Sequence, residues 1–174
     1  MGNMEIAIVS AESIRIKGKQ TTFVVDPVAT KAKVTADAVL FTKGSGVDTA
    51  SVEGSRLTIA GPGEYEIGGV KISGVKSGET TAYYLSLDGV TVLVSPTSML
   101  KNKESLRDVD LVALQVDSVV DQSALATVAN GVALFYGGQA AENVKGLGKE
   151  VQPVAKYVTT KDKLPQEMEI VLLG

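Results

Sequence analysis

The 174-residue sequence contains no histidine and no cysteine. Without cysteine there is no disulfide framework, no thiolate nucleophile and no sulfur ligand for a metal. Without histidine there is no imidazole ligand, no triad base and no side chain whose ordinary pKa falls near neutrality. Tryptophan is also absent, and phenylalanine and tyrosine together supply only eight residues. No apolar run approaches the ~18 residues that span a bilayer, and the first residues lack a basic stretch followed by an apolar one. The net charge is -3, with lysines scattered rather than striped, so nothing is arranged to neutralise phosphates or an anionic membrane surface. The expected setting is soluble and cytoplasmic, with neither nucleic acid nor membrane as partner.

What is present is a globular composition, 44% hydrophobic and 21% charged with 18 glycines, expected to form one domain over residues 1–174. The stretch 36–48, A-D-A-V-L-F-T-K-G-S-G-V-D, organises the reading. Residues 38–41 form a short apolar run suited to a strand covered on both faces, and it breaks at once into a loop with two glycines. Groups at a strand's C-terminal end are where a site is usually presented.

Before this stretch, Ile6 and Ile8, Ile14 and Ile16, and Phe23 and Val25 alternate with polar residues, which reads as antiparallel strands ending at Asp26-Pro27. Residues 31–35 connect to the central run. Short strands are predicted at 57–60, 64–67, 70–75, 82–87 and 90–94, with Gly61-Pro62-Gly63 and Gly68-Gly69 as turns and Asp88-Gly89 as the clearest hairpin signal. The first half is therefore a β meander. After Ser95-Pro96 the pattern predicts a helix over 97–107 with Met99, Leu100 and Leu106 inward, and a strand over 109–116. A helix capped by Ser118 or Asp121 would then run to Val128, closed by Asn130-Gly131 in a left-handed turn. Strands at 132–136, 151–158 and 169–173 and a helix at 139–147 complete the chain, the alternation implying parallel pairing.

Taken in this order, the stretches 4–27, 36–42, 61–75 (G-P-G-E-Y-E-I-G-G-V-K-I-S-G-V), 84–94, 108–114 (D-V-D-L-V-A-L) and Leu164-Pro165 resemble the metallo-β-lactamase superfamily, in its branch of metal-dependent hydrolases near the ascorbate-phosphate lactonases. The resemblance implies an α/β fold: an αβ/βα sandwich of two mixed sheets flanked by short helices, with a strand-rich first half. It also implies a cleft between the sheets where His and Asp hold one or two metal ions. Matched position by position, the H-x-H-x-D-H loop falls on Lys43, Ser45, Val47 and Asp48, an early His on Ala11, the bridging Asp near Thr97, and the last His near Tyr136 or Gly137. None of these residues is the family's ligand; Asp48 alone offers a carboxylate, where a His belongs. Asp26 matches a family Asp that supports the loop and does not touch the metal.

A hydrolase of this type lowers the pKa of a metal-bound water, and one Asp with one Ser does not make the three- or four-ligand site zinc requires. The expectation is thus no cofactor, no bound metal, no catalytic residue, and a protein that acts as a structural or interaction partner, by self-association or with another protein. A second reading keeps the vestigial cleft as a small-molecule or anion site on Asp26, Lys43, Ser45 and Asp48. A third has a hard cation on Glu12, Asp26, Asp48 and Glu64, against the plainer account in which Asp26 caps its loop, Asp48 and Glu64 are solvated, and Glu12 belongs to a hairpin. Two S-x-x-K tetrads, Ser73 to Lys76 and Ser98 to Lys101, are about what chance places in this sequence and lack their companion motifs. Neither Gly44-Ser45-Gly46 nor Gly61-Pro62-Gly63 opens a predicted helix, as a phosphate cradle would. Phe41, Tyr65, Tyr83, Tyr84, Phe135 and Tyr136 read as core and cross-strand residues, with an exposed Tyr83-Tyr84 pair marking an interface if it is on the surface.

Overall fold

Alternating β-branched residues in the first 26 positions produce three antiparallel strands, β1 (Met4–Ser10), β2 (Ser13–Lys17) and β3 (Thr22–Val25), whose inward residues Ile6, Ile14, Ile16, Phe23 and Val25 are all fully buried. The structure is a computed structural model, and it describes residues 3–28, 32–44, 48–102 and 105–174. The central run forms β5 (Ala38–Leu40), buried at every residue and pairing parallel with β3. β7 (Leu57–Ile59) extends the same sheet in parallel. A short parallel pair, β4 (Val34–Thr35) and β6 (Val52–Glu53), flanks β5 in sequence.

The chain then crosses at Gly61-Pro62-Gly63 into a second sheet. Its first four strands are an antiparallel meander: β8 (Gly63–Ile67), β9 (Val70–Ser77), β10 (Thr80–Leu87) and β11 (Val90–Pro96). Asp88 and Gly89 both have positive φ, 52° and 82°, the backbone that a two-residue Asp-Gly hairpin requires. β12 (Val109–Gln115), β13 (Ala129–Tyr136) and β15 (Glu169–Leu172) continue the sheet in parallel. The crossovers carry α1 (Gln122–Val128) and α2 (Ala140–Gly146). The last strand of the first sheet, β14 (Lys156–Thr159), pairs antiparallel with β1, so the sheet orders are β14-β1-β2-β3-β5-β7 and β15-β13-β12-β11-β10-β9-β8.

The two sheets face each other across a core that takes Ile14, Phe23, Leu40 and Ile59 from one and Ile72, Leu85, Val92, Leu111 and Leu134 from the other. A second apolar layer joins Leu93, Val112, Leu114 and Phe135 on the back of the second sheet to Leu125 and Val128 of α1 and Val144 of α2. Both helices pack on this sheet. Fully burying an aliphatic side chain is worth about 1.5–3 kcal/mol, so these two layers supply the driving force and the polar groups decide the details. Among the described residues no helix is long and apolar enough to cross a membrane.

Four local expectations are corrected. Among the described residues of 97–107 there is no α-helix: the segment opens as a 3-10 turn, Thr97–Lys101; Thr97, Ser98 and Asn102 turn their side chains to neighbouring segments, bonding Asp117 and Ser77, which competes with α-helix formation. Met99, Leu100 and Leu106 are buried as the pattern required. Asn130-Gly131 does not turn: α1 runs directly into β13, and the pair sits in a bulge where Val109 faces Ala129 and Leu111 faces Val132. The strand over 151–158 begins only at Lys156, after Pro153, which has no N–H to give a ladder. Tyr83 and Tyr84 are 0% and 5% exposed, so that pair is not a surface interface.

Gly131 is in the strand because a Cβ there would lie 2.9 Å from the Asp110 carbonyl oxygen. Gly131→Ala is therefore expected to destabilise the protein by about 1–3 kcal/mol, whereas Gly146→Ala, at a helical position with nothing within 4 Å, should be neutral or stabilise by up to about 1 kcal/mol. Urea denaturation of the two variants checks the pair.

Candidate functional site

The loop leaving β5 is fixed by two side chains and by the backbone of a strand in the other sheet. Asp26, at the end of β3 with φ 49°, accepts from the Thr42 backbone N–H at 2.8 Å and from the Thr42 hydroxyl at 2.6 Å. The Tyr83 hydroxyl of β10 donates to the Phe41 carbonyl at 2.6 Å and accepts from the Gly61 N–H at 3.1 Å. The Thr42 carbonyl accepts from the Thr81 N–H at 2.8 Å, and Lys43 makes an antiparallel bridge to Thr80. Both sheets therefore grip the loop where it starts.

Beside it lies a cavity of about 210 Å³ lined by Glu12, Asp26, Thr42, Lys43 and Gln115 with Pro27, Val28 and Phe41. Glu12, in the β1–β2 turn, reaches across to the second sheet: its carboxylate accepts from Gln115 Nε2 at 3.1 Å and from the Gly138 N–H at 2.8 Å. Tyr136, fully buried, lies directly across from Gln115 in the β12–β13 register, and its hydroxyl has no partner among the described residues. At the neighbouring strand end, Asp117 accepts from the Thr97 hydroxyl, the Ser98 N–H and the Ser98 hydroxyl at 2.8–2.9 Å.

The electrostatics follow from burial and these bonds. Burial pushes Asp26 above the usual carboxylate range; the Thr42 bonds and the Lys43 charge pull it back only in part, and the Glu12 charge adds to the rise. Burial raises the Tyr83 phenol to about 12 and, with the Asp26 and Glu12 charges adding, holds the Tyr136 phenol far above its ordinary value. Burial also opposes ionisation of Asp117, but the Ser98 and Thr97 bonds and the Lys43 charge outweigh it and set its carboxyl low.

Of the residues matched to the family's metal positions, Thr97 and Tyr136 are buried, Ala11 is exposed beside Glu12, and Lys43 is exposed on the cavity rim. Ser45 and Val47 lie outside the described residues. Asp48 is exposed and folds back on the Ala50 N–H at 2.9 Å, and it does not line the cavity. Glu64 bonds Ser73 on the far part of the second sheet, so the four carboxylates of the hard-cation reading are not brought together. Sequence reasoning passed over Gln115, Asp117 and the reach of Glu12. The signal for Gln115 was visible: a polar residue at an inward position of the otherwise apolar strand ending V-A-L-Q-V.

The residues do not suit a transition metal. The sequence offers no imidazole or thiolate, and among the described residues no three His, Cys, Asp or Glu side chains stand close enough to share an ion.

Neither a protein-family model nor a curated protein sequence matches the chain. Solved structures do. A protein from Thermotoga maritima assigned to the Zn-dependent hydrolases of the metallo-β-lactamase superfamily superposes with a TM-score of 0.75 at 17% identity, covering 98% of each chain. One from Parabacteroides distasonis assigned as a metal-dependent hydrolase gives 0.64 at 17% identity, over 99% of this chain and 94% of the other. The metallo-β-lactamase fold protein YhfI from Bacillus subtilis gives 0.56 at 11% identity, over 100% and 98%.

Two expectations test the clasp. Tyr83→Phe leaves a buried carbonyl and a buried N–H without their partner and should cost about 1–3 kcal/mol, read by urea denaturation at neutral pH. Because the folded pKa of Asp26 is raised, the folded state holds its proton longer than the unfolded state. Stability from this group is then full at low pH and declines as pH rises from the ordinary 3.8 through the higher folded value. Asp26→Asn should remove that decline, so the stability difference between wild type and variant should widen in the variant's favour with pH across this window; a difference independent of pH would contradict the assignment. Two sheets, their topology and the superpositions together show that the chain has the metallo-β-lactamase fold.

Proposed function

We propose that this protein keeps the metallo-β-lactamase sandwich without its metal-dependent hydrolysis and works by interaction, as a structural or self-associating protein. The observation that carries the reading is how the carboxylates around the matched positions are engaged. Asp26 is bonded to Thr42, Asp117 to Thr97 and Ser98, and Glu12 to Gln115 and Gly138. A carboxylate with two or three protein donors is already satisfied and oriented toward the protein. Imidazoles would hold the ion, and the ion would lower the pKa of the water on which the hydrolytic chemistry depends. In their place, Lys43 puts a permanent positive charge near Asp26 and Asp117, so part of the electrostatic role of an ion falls to the chain itself.

Elemental analysis of untagged protein for Zn, Mn, Fe, Mg and Ca, followed by calorimetric titration with Zn²⁺ and Mn²⁺, tests the first half. The expected result is substoichiometric metal, no binding below millimolar, and no phosphodiesterase or lactonase turnover. One tightly held ion per chain with turnover would overturn the reading. Light scattering on the eluting chain tests self-association, and a concentration-independent monomer would direct the search to a different protein partner.

A further inference from the structure

One large apolar side chain stands well outside the core. Val119 is 85% exposed, whereas Val28, Val154, Val158 and Met168 are between 38% and 47% exposed. The residues on either side of it are tied down. The Ser118 N–H donates to the Thr97 hydroxyl at 3.0 Å, and the Val120 N–H donates to the Asn143 side chain of α2 at 3.0 Å; Val120 itself is buried. The backbone is therefore held in a position that displays Val119 beside α2. Between this segment and the helix lies a cavity of about 460 Å³ with Val119, Val120 and Leu147 among its walls. A lone exposed valine is ordinary on a protein surface; this one is fixed, and it adjoins both a cavity and a helix face that carries the two signs of charge.

Ala140 and Val144 are the residues of α2 buried against the second sheet, so the opposite face of the helix presents Ala141, Glu142, Lys145 and Gly146, all exposed. Among the described residues neither Glu142 nor Lys145 forms an ion pair. The two positions are placed symmetrically about the middle of the helix. Laying a second α2 antiparallel on the first, about a twofold axis across it, sets Glu142 opposite the partner's Lys145 and Lys145 opposite the partner's Glu142. Ala141 and Gly146 exchange in the same way, and neither has the bulk to hold the helices apart. The rotation also keeps the Val119 side of one helix over the Val119 side of the other, so each valine meets the cavity beside its counterpart. A parallel arrangement would instead oppose Glu142 to Glu142. We propose that α2 and Val119 form the surface through which two copies of this chain associate as an antiparallel twofold dimer. This names the contact for the self-association proposed above and rests on that reading. A surface that carries a knob, the hollow for it and both charges at matched spacing is complementary to itself, as an isologous contact requires. Val119 acts as the apolar anchor, and the exposed charge pairs at the rim set the register more than the affinity.

Sedimentation equilibrium of the full chain over a concentration series should show monomer and dimer in exchange. Val119→Asp should weaken the dimer at least tenfold. Glu142→Lys and Lys145→Glu should each weaken it several-fold, because each sets like charges against one another across the axis. Mixed in equal amounts, these last two variants should recover the wild-type affinity, since every pair in the mixed dimer again joins a lysine to a glutamate. Damage confined to either chain would not be repaired by mixing, so the recovery reports contact between copies. A dimer indifferent to the three substitutions, or one that shows no recovery on mixing, would overturn this surface and leave self-association in place. A monomer up to millimolar concentration would overturn both.

Discussion

The loop that follows β5 is held by hydrogen bonds from the protein itself, and the end of the sandwich where the cleft lies depends on that restraint. Asp26 fixes Thr42 twice, Tyr83 fixes Phe41 and Gly61 at once, and Thr81 takes the next carbonyl. The three come from two strands of opposite sheets: Asp26 from the end of β3, and Tyr83 and Thr81 from β10. Because the Tyr83 hydroxyl is fully buried, neither of its bonds exchanges with water, and loss of either partner would leave an orphan in a dry environment. A metal ion in such a place would draw loop and sheets together by coordination. Here the same geometric task is performed by a carboxylate, a phenol and a backbone amide.

This restraint has a counterpart across the cleft. Glu12 leaves the first sheet and binds the second through Gln115 and the Gly138 N–H, over sequence separations of 103 and 126 residues. Thr97 and Asp117 join the ends of β11 and β12 in the same way. The apolar core presses the two sheets together but is tolerant of small shifts in how they lie. Polar bonds with fixed geometry set the relative position at this one end. That division explains why the site's carboxylates are oriented into the protein.

The sandwich was legible in the sequence to the extent that burial is periodic. Ile6, Ile14, Ile16, Phe23 and Val25 alternate, residues 38–40 are apolar without a break, and Asp88-Gly89 can scarcely be anything but a hairpin; each element formed where the pattern put it. The failures share a cause, which is a long-range contact overriding a local preference. Asn130-Gly131 has the composition of a turn, but the strand needs a residue without a side chain against the Asp110 carbonyl, and that contact is invisible from either sequence neighbour. Residues 97–107 have helical spacing, but Asp117 and Ser77 draw the hydroxyls and amide away. At the site, the role of Asp26 as a loop support was readable, since it follows a strand and precedes a proline. Glu12 was not, because its partners lie in the other half of the chain.

Buried charge at the end of a sandwich persists where it is bonded or neutralised by a neighbour. Both occur here: Asp26 and Asp117 accept protein hydrogen bonds, and the Lys43 charge lies within reach of both. The raised pKa of Asp26 shows where neutralisation is least complete. Its carboxylate is half-buried, flanked by Glu12, and lines the cavity beside the β5 loop, so burial rather than a lack of partners is what keeps its charge costly.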